Sequence, residues 1–70
     1  MKIGIKLKQG RAEKDLTQEE AAKILNVSRS TVSSWEVNRT YPDLDMLVSL
    51  SDLYDISLDL MLRGQEKLRL

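Results

Sequence analysis

Apolar residues along this chain recur at three- and four-residue intervals and never alternate for long, which predicts helices rather than strands. Ile3, Leu7 and Arg11 fall at i, i+4 and i+8, so the first helix is placed from Ile3 to Lys14. Gly10 lies inside it, where glycine lowers helix stability by ~1 kcal/mol. Asp15 follows at a stop position, which often needs the left-handed backbone that Asp tolerates better than most residues. Thr17-Gln18-Glu19-Glu20 has the form of a capping box, so a second helix starts at Gln18, buries Ala21, Ala22 and Leu25, and ends near Asn26.

After the short connection Asn26-Val27-Ser28, Ser28 caps a third helix from Arg29 to about Val37, with Asn38 as its exit. Two helices joined by so tight a turn form a helix-turn-helix unit. Beyond Tyr41-Pro42, Asp43 caps a fourth helix from Leu44 to Tyr54 with Leu47, Leu50 and Leu53 inward. Ser57 caps a fifth, Leu58 to about Arg63, which Gly64 ends. The predicted fold class is all-α, a compact five-helix bundle with the helix-turn-helix at helices two and three. The predicted domain covers residues 1–64, and Gln65–Leu70, without a clear period, reads as a C-terminal tail or the start of a linker.

Seventy residues make one small domain with a thin margin of stability, which dimerisation would widen. With no Cys and no His, disulfides, thiol nucleophiles and nearly all zinc chemistry are excluded, and a reducing, cytoplasmic setting is expected. No apolar run reaches the length of a signal-peptide core or a membrane span. The adjacent acids Glu19/Glu20 and the pair Asp43/Asp45 each begin a helix, where acidic groups favour the helix dipole, and they imply no catalytic pocket. With no nucleophile–base pair, metal cluster or Gly-rich phosphate loop, the chain reads as a binding protein rather than an enzyme, and no cofactor, metal or small-molecule ligand is expected.

Eleven basic residues balance eleven acidic ones, an unpromising sum for a polyanion binder. The charges are not mixed evenly, however. Lys2, Lys6, Lys8, Arg11, Lys14, Lys23, Arg29 and Arg39 outnumber the acids of the first 39 residues, whereas residues 40–62 hold five Asp (43, 45, 52, 55 and 59) and no base. Such a gradient suits a molecule with one side toward phosphate, and equally one whose charges are all simply solvated.

Helix three is two-sided. At 100° per residue, Arg29, Ser30, Ser33, Ser34 and Val37 fall within an arc of about 140°, with Ser28, Thr31, Val32 and Trp35 opposite. The front carries one forked donor among short hydroxyls, which lets a backbone approach base edges closely. Trp35 reads as core, not as a stacking platform. Arg11, on the inward line of the first helix, and Glu36, on the border of the third helix's buried side, are matched charges that would each be costly to bury alone.

These segments together resemble the Cro-like (XRE-type) phage-repressor helix-turn-helix family. The matching motifs are Leu16-Thr17-Gln18-Glu19-Glu20, Val27-Ser28-Arg29-Ser30-Thr31-Val32-Ser33-Ser34-Trp35-Glu36, Tyr41-Pro42-Asp43-Leu44, Ile56-Ser57-Leu58-Asp59 and Met61-Leu62-Arg63-Gly64. The resemblance spans roughly residues 3 to 64. It implies that helix three reads duplex DNA, with Arg29, Ser30 and Ser34 at base edges and Ser33 close by. It implies phosphate contacts at Gln18 on one flank and at Ser28, Asn38, Arg39 and Thr40 on the other, and an internal ion pair between Arg11 and Glu36. Val37-Asn38 stands where the family often has Asn-Gly, and Asn26 where Gly is common. The first departure weakens any phosphate role for residue 37; Asn at both turns keeps the backbone requirement satisfied.

The function so implied is sequence-specific binding of double-stranded DNA by a homodimeric transcriptional regulator, most often a repressor, on a near-palindromic operator. The alternative is a protein-interaction module on the same fold, such as an antitoxin or an anti-repressor partner, for which a neutral net charge is natural. Leu58, Met61, Leu68 and Leu70 serve either the core or a dimer contact; the sequence does not separate the two.

Overall fold

Local chemistry decides where each helix begins. In the computed structural model, which describes residues 2–63, the elements are α1 (Gly4–Glu13), α2 (Gln18–Leu25), α3 (Arg29–Glu36), α4 (Leu44–Tyr54) and α5 (Leu58–Leu62). Thr17, Ser28, Asp43 and Ser57 each precede a helix, and each side chain accepts the backbone N–H three residues ahead. This satisfies donors that a helix leaves unpaired in its first turn, typically stabilising by ~1 kcal/mol per cap. At Thr17 the box is complete: the Glu20 carboxylate accepts from the Thr17 N–H at 2.8 Å while Thr17 Oγ1 accepts from the Glu20 N–H at 3.0 Å.

α1 follows a different rule. Its N-cap, Ile3, has no side chain able to accept, and the Gly4 N–H instead donates to Asn38 Oδ1 at 3.0 Å, a cap supplied from beyond the end of α3. Among the described residues four take a positive φ: Asp15 (57°), Asn26 (61°), Asn38 (62°) and Asp55 (57°). All are Asn or Asp, whose short polar side chains make the left-handed region accessible, and they end four consecutive helices. Asp15, Asn26 and Asn38 were expected there; Asp55 was not singled out. The boundaries otherwise lie within a residue of those expected, with Ile3 and Lys14 capping α1 and Val37 closing α3. The stop at Gly64 and the tail from Gln65 lie outside the described residues.

The core draws on every helix. Ile3, Leu7, Ala21, Ala22, Val32, Trp35, Leu47, Leu50, Tyr54 and Met61 are buried, with Leu25, Leu53 and Leu58 among the half-buried residues packed around them. Met61 is wholly buried, which assigns it to the core; Leu58 packs at the margin; Leu68 and Leu70 lie outside the described residues. α3 packs against both α2 and α1, and α4 against α1, α2 and α5. No helix among the described residues is long and apolar enough to cross a membrane.

Two helical glycines explain how α1 sits so close to its neighbours. A Cβ on Gly4 would collide with the backbone carbonyls of Glu36 and Trp35, at the end of α3. A Cβ on Gly10 would stand 2.6 Å from Ile56 Cδ1 and 3.0 Å from Tyr54 Cβ. The helix propensity sacrificed at Gly10 is therefore the condition for packing α1 against α4. Alanine in an exposed helix interior is more stable than glycine by roughly 0.5–1 kcal/mol, but here we expect the opposite sign. Gly4→Ala meets rigid backbone and should lower the melting temperature more than Gly10→Ala, which meets the movable end of Ile56. Thermal melts of the two variants, ranked against wild type, check both the sign and the order.

Candidate nucleic-acid interface

The turn between α2 and α3 is made by one left-handed residue and one hydrophobic peg. Asn26, at φ 61° and ψ 43°, reverses the chain, and its N–H and that of Val27 fold back onto the carbonyls of Lys23 (3.2 Å) and Ala22 (3.0 Å). Val27 is half-buried against the core, and Ser28 then opens α3. On α3 the rear residues Val32 and Trp35 are 1% and 5% exposed, which fixes the helix about its own axis. Trp35 is therefore core, as its angular position predicts.

Fixing the rear determines what faces outward. Arg29 and Ser30 are exposed, Ser33 and Ser34 are half-exposed, and Val37 stands out at 60%. The structure thus brings the four residues expected at base edges onto one accessible face. The first turn of α3 contains no acidic residue, so its N–H dipoles and Arg29 stand without a carboxylate beside them in sequence. Arg29 enters no ion pair among the described residues, so its guanidinium remains available to a ligand.

The flanking residues are held in distinct ways. Ser28 Oγ accepts from the Thr31 N–H at 3.1 Å and shares a hydrogen bond with Thr31 Oγ1 at 2.8 Å, so capping takes up much of its capacity. Arg39 and Thr40 are exposed, and their backbone N–H groups donate to the Ser34 carbonyl at 2.9 and 3.4 Å. Only their side chains are left to reach outward. Asn38 accepts from the Gly4 N–H through its side-chain Oδ1 and retains its side-chain amide hydrogens. Gln18 is half-buried at the start of α2, and its Nε2 donates to Glu36 Oε1 at 3.1 Å.

Beneath this surface lies the ion pair expected between Arg11 and Glu36. Arg11 Nε donates to Glu36 Oε2 at 2.7 Å and Nη2 to Oε1 at 3.1 Å, a forked contact with side chains 14% and 3% exposed. Arg11 Nη1 goes on to the Leu16 carbonyl at 2.8 Å, next to the cap of α2. The hydrogen bond to Glu36 raises the Arg11 pKa, against the opposing effect of burial. Tyr54 is pushed up to about 12, first by burial and then by the negative charge of Glu36, with Arg11 pulling the other way.

Neither the Gln18–Glu36 bond nor the Asn38–Gly4 bond was anticipated from sequence. Both join residues far apart in the chain through a single polar atom, and no periodicity reports such a contact. Lys6 belongs to the same class: its Nζ donates to the Leu60 carbonyl at 2.8 Å, steadying the end of α5.

A tight two-helix unit whose second helix is apolar behind and hydroxyl-rich in front is a helix-turn-helix module. Residues 7–61 match the helix-turn-helix family, and the chain belongs to it, in its Cro-like, XRE-type branch. Over 70 residues it is 39% identical to the HTH-type transcriptional activator BcrR of Enterococcus faecalis, covering 100% of this chain and 34% of that protein. It is also 39% identical over 66 residues to the HTH-type transcriptional regulator ImmR of Bacillus subtilis (strain 168), covering 94% of this chain and 52% of ImmR. A further similarity, 33% over 62 residues, is to the SPbeta prophage-derived uncharacterized HTH-type transcriptional regulator YonR of the same organism, covering 89% of this chain and 57% of YonR. The chain thus spans between a third and three-fifths of the length of these relatives. All three of these relatives carry the names of HTH-type transcriptional regulators or activators.

Two measurements follow from the buried pair and its neighbour. Arg11→Ala strands the Glu36 carboxylate, a change that costs about 3–5 kcal/mol in comparable buried pairs, so most of a small domain's stability should be lost in a denaturant melt. Tyr54 has a folded-state pKa above its reference of 10.0, so folding favours the neutral phenol. Its contribution is fully present below pH 10 and is lost as pH rises from there toward 12. In a Tyr41→Phe variant Tyr54 is the sole tyrosine, and its phenolate absorbance should rise late and together with unfolding; a midpoint near 10 in still-folded protein contradicts this.

Proposed function

We propose that the chain is the DNA-reading domain of a cytoplasmic transcriptional regulator that binds double-stranded DNA in a sequence-specific manner. The observation that carries this reading is the front of α3: an exposed Arg29, in no ion pair among the described residues, beside Ser30, Ser33 and Ser34, on a helix locked in place by Val32 and Trp35. The names of BcrR and ImmR, both transcriptional regulators, support it from outside the structure.

In this reading α3 lies in the major groove. The guanidinium of Arg29 meets guanine O6 and N7 together, and the serine hydroxyls contact neighbouring edges at short range. Gln18, Ser28, Asn38, Arg39 and Thr40 hold the phosphates on either side, setting register without reading sequence. Residues 1–64 act as one domain, with 65–70 as its tail or the start of a linker. A single α3 spans only a few base pairs, so useful specificity calls for two copies, as a homodimer on half-sites ~34 Å apart in a near-palindromic operator. Occupying such a site is enough to repress transcription where it overlaps a promoter.

Selection of bound sites from a random duplex library tests the whole reading. The recovered sites should be near-palindromic with a guanine recurring in each half, and the footprint should cover both halves. Arg29→Ala should flatten preference at that guanine, a loss of roughly 1–3 kcal/mol of discrimination, while its melt matches wild type. Arg39→Ala, at a phosphate, should weaken all sites about equally. If Arg29→Ala keeps the wild-type ranking of sites and lowers every affinity by one factor, Arg29 holds phosphate and the serines read. Failure to enrich any duplex refutes the proposed function.

A further inference from the structure

Two side-chain amides flank α3, and the chemistry of their partners fixes them in opposite senses. The ionised carboxylate of Glu36 can only accept, so the atom of Gln18 that faces it is Nε2. The Gly4 N–H can only donate, so the atom of Asn38 that faces it is Oδ1. Asn38 therefore keeps both amide hydrogens, whereas Gln18 has committed one and keeps one. The amide plane of Gln18 cannot turn without breaking the bond to Glu36.

Glu36 is the last residue of α3, and its carboxylate is already neutralised by Arg11 across both oxygens. It thus grips Gln18 without presenting net negative charge to a nearby phosphate. We infer that Glu36 is the positioning residue for a phosphate contact made by Gln18. It touches no DNA itself; it holds the remaining Nε2 hydrogen of Gln18 at a fixed offset from the Arg29–Ser34 face, so that backbone and bases are engaged in one register. A free glutamine loses the freedom of several rotatable bonds on binding, whereas this one has lost much of it on folding. The inference rests on the DNA-binding reading above.

A double-mutant cycle tests it in the 70-residue chain. Gln18→Met keeps the aliphatic length and removes the amide. Glu36→Asp keeps the charge for Arg11 and withdraws the carboxylate by one methylene. Both variants and their combination are titrated with a mixed-sequence duplex below their melting temperatures. Gln18→Met should weaken binding roughly ten- to a hundredfold, the worth of one hydrogen bond to a charged group. Glu36→Asp should lose a similar factor, and the double variant should bind no more weakly than Gln18→Met alone. Losses that multiply in the double variant, or wild-type binding by Glu36→Asp, overturn the inference while leaving DNA binding intact. Should Glu36→Asp not fold, 15N spectra of the wild-type chain decide: one of the two Gln18 side-chain hydrogens should exchange with water markedly more slowly than the other in the free protein, and the faster one should shift on addition of duplex. Equal, unprotected exchange of both hydrogens in the free chain overturns the inference. Absence of duplex binding by wild type overturns the functional reading, and this inference with it.

Discussion

Glu36 ends α3 with a carboxylate whose side chain is 3% exposed, and a charge so placed must be matched where it stands. Arg11 meets it from α1 with two nitrogens and spends a third on the Leu16 carbonyl, while Gln18 meets it from the start of α2. One buried group therefore joins the first three helices. An ion pair in this setting adds little net stability over a well-packed apolar pair, because two charges have been taken out of water. Its consequence is geometric. Any arrangement of α1 and α2 that leaves Glu36 without these donors is heavily penalised, so the angle of α3 relative to both is specified where apolar packing alone would tolerate sliding.

The remaining constraints act on the same joint. Gly4 lets the start of α1 lie against the carbonyls at the end of α3, and Asn38, turned left-handed just beyond α3, caps Gly4 in return. Polar and steric terms thus converge on the α1–α3 contact. On the other side of the core, Gly10 admits Tyr54 and Ile56, which sets α4 against α1. A domain this small buries a modest share of its surface. Close backbone approach at two glycines and a fully engaged ion pair let it define a single arrangement from the ten hydrophobic residues that are buried among those described.

Much of this was legible in the sequence because it is encoded locally. Thr17, Ser28, Asp43 and Ser57 announce helix starts through hydrogen bonds only three residues long, and Asp15, Asn26 and Asn38 announce stops through their own backbone preference. The front and rear of α3 follow from the helical period once Val32 and Trp35 are taken as core. The Arg11–Glu36 pair was implied by the family resemblance, and the inward or border placement of both residues agrees with it. Gly4 and Gly10 were not, because a glycine's role depends on the neighbour that approaches it. Nor were the orientations of Gln18 and Asn38, each decided by one distant atom. The front of the candidate site was thus readable from α3 alone, whereas the groups that aim its flanks belong to tertiary structure.

The neutral net charge takes on meaning once the front of α3 is known. A strongly basic domain holds any duplex through its phosphates, and its preference for one sequence is then a small difference on a large background. Here the five acids of residues 40–62, Asp43, Asp45, Asp52, Asp55 and Asp59, are all exposed and lie outside α2 and α3. They lower the net charge of the chain, and none of them belongs to α3. Under the proposed function, affinity for arbitrary DNA is held down while the contacts at the groove are left whole. Discrimination then depends on short-range geometry, which is the quantity that Arg11, Glu36 and Gly4 hold fixed.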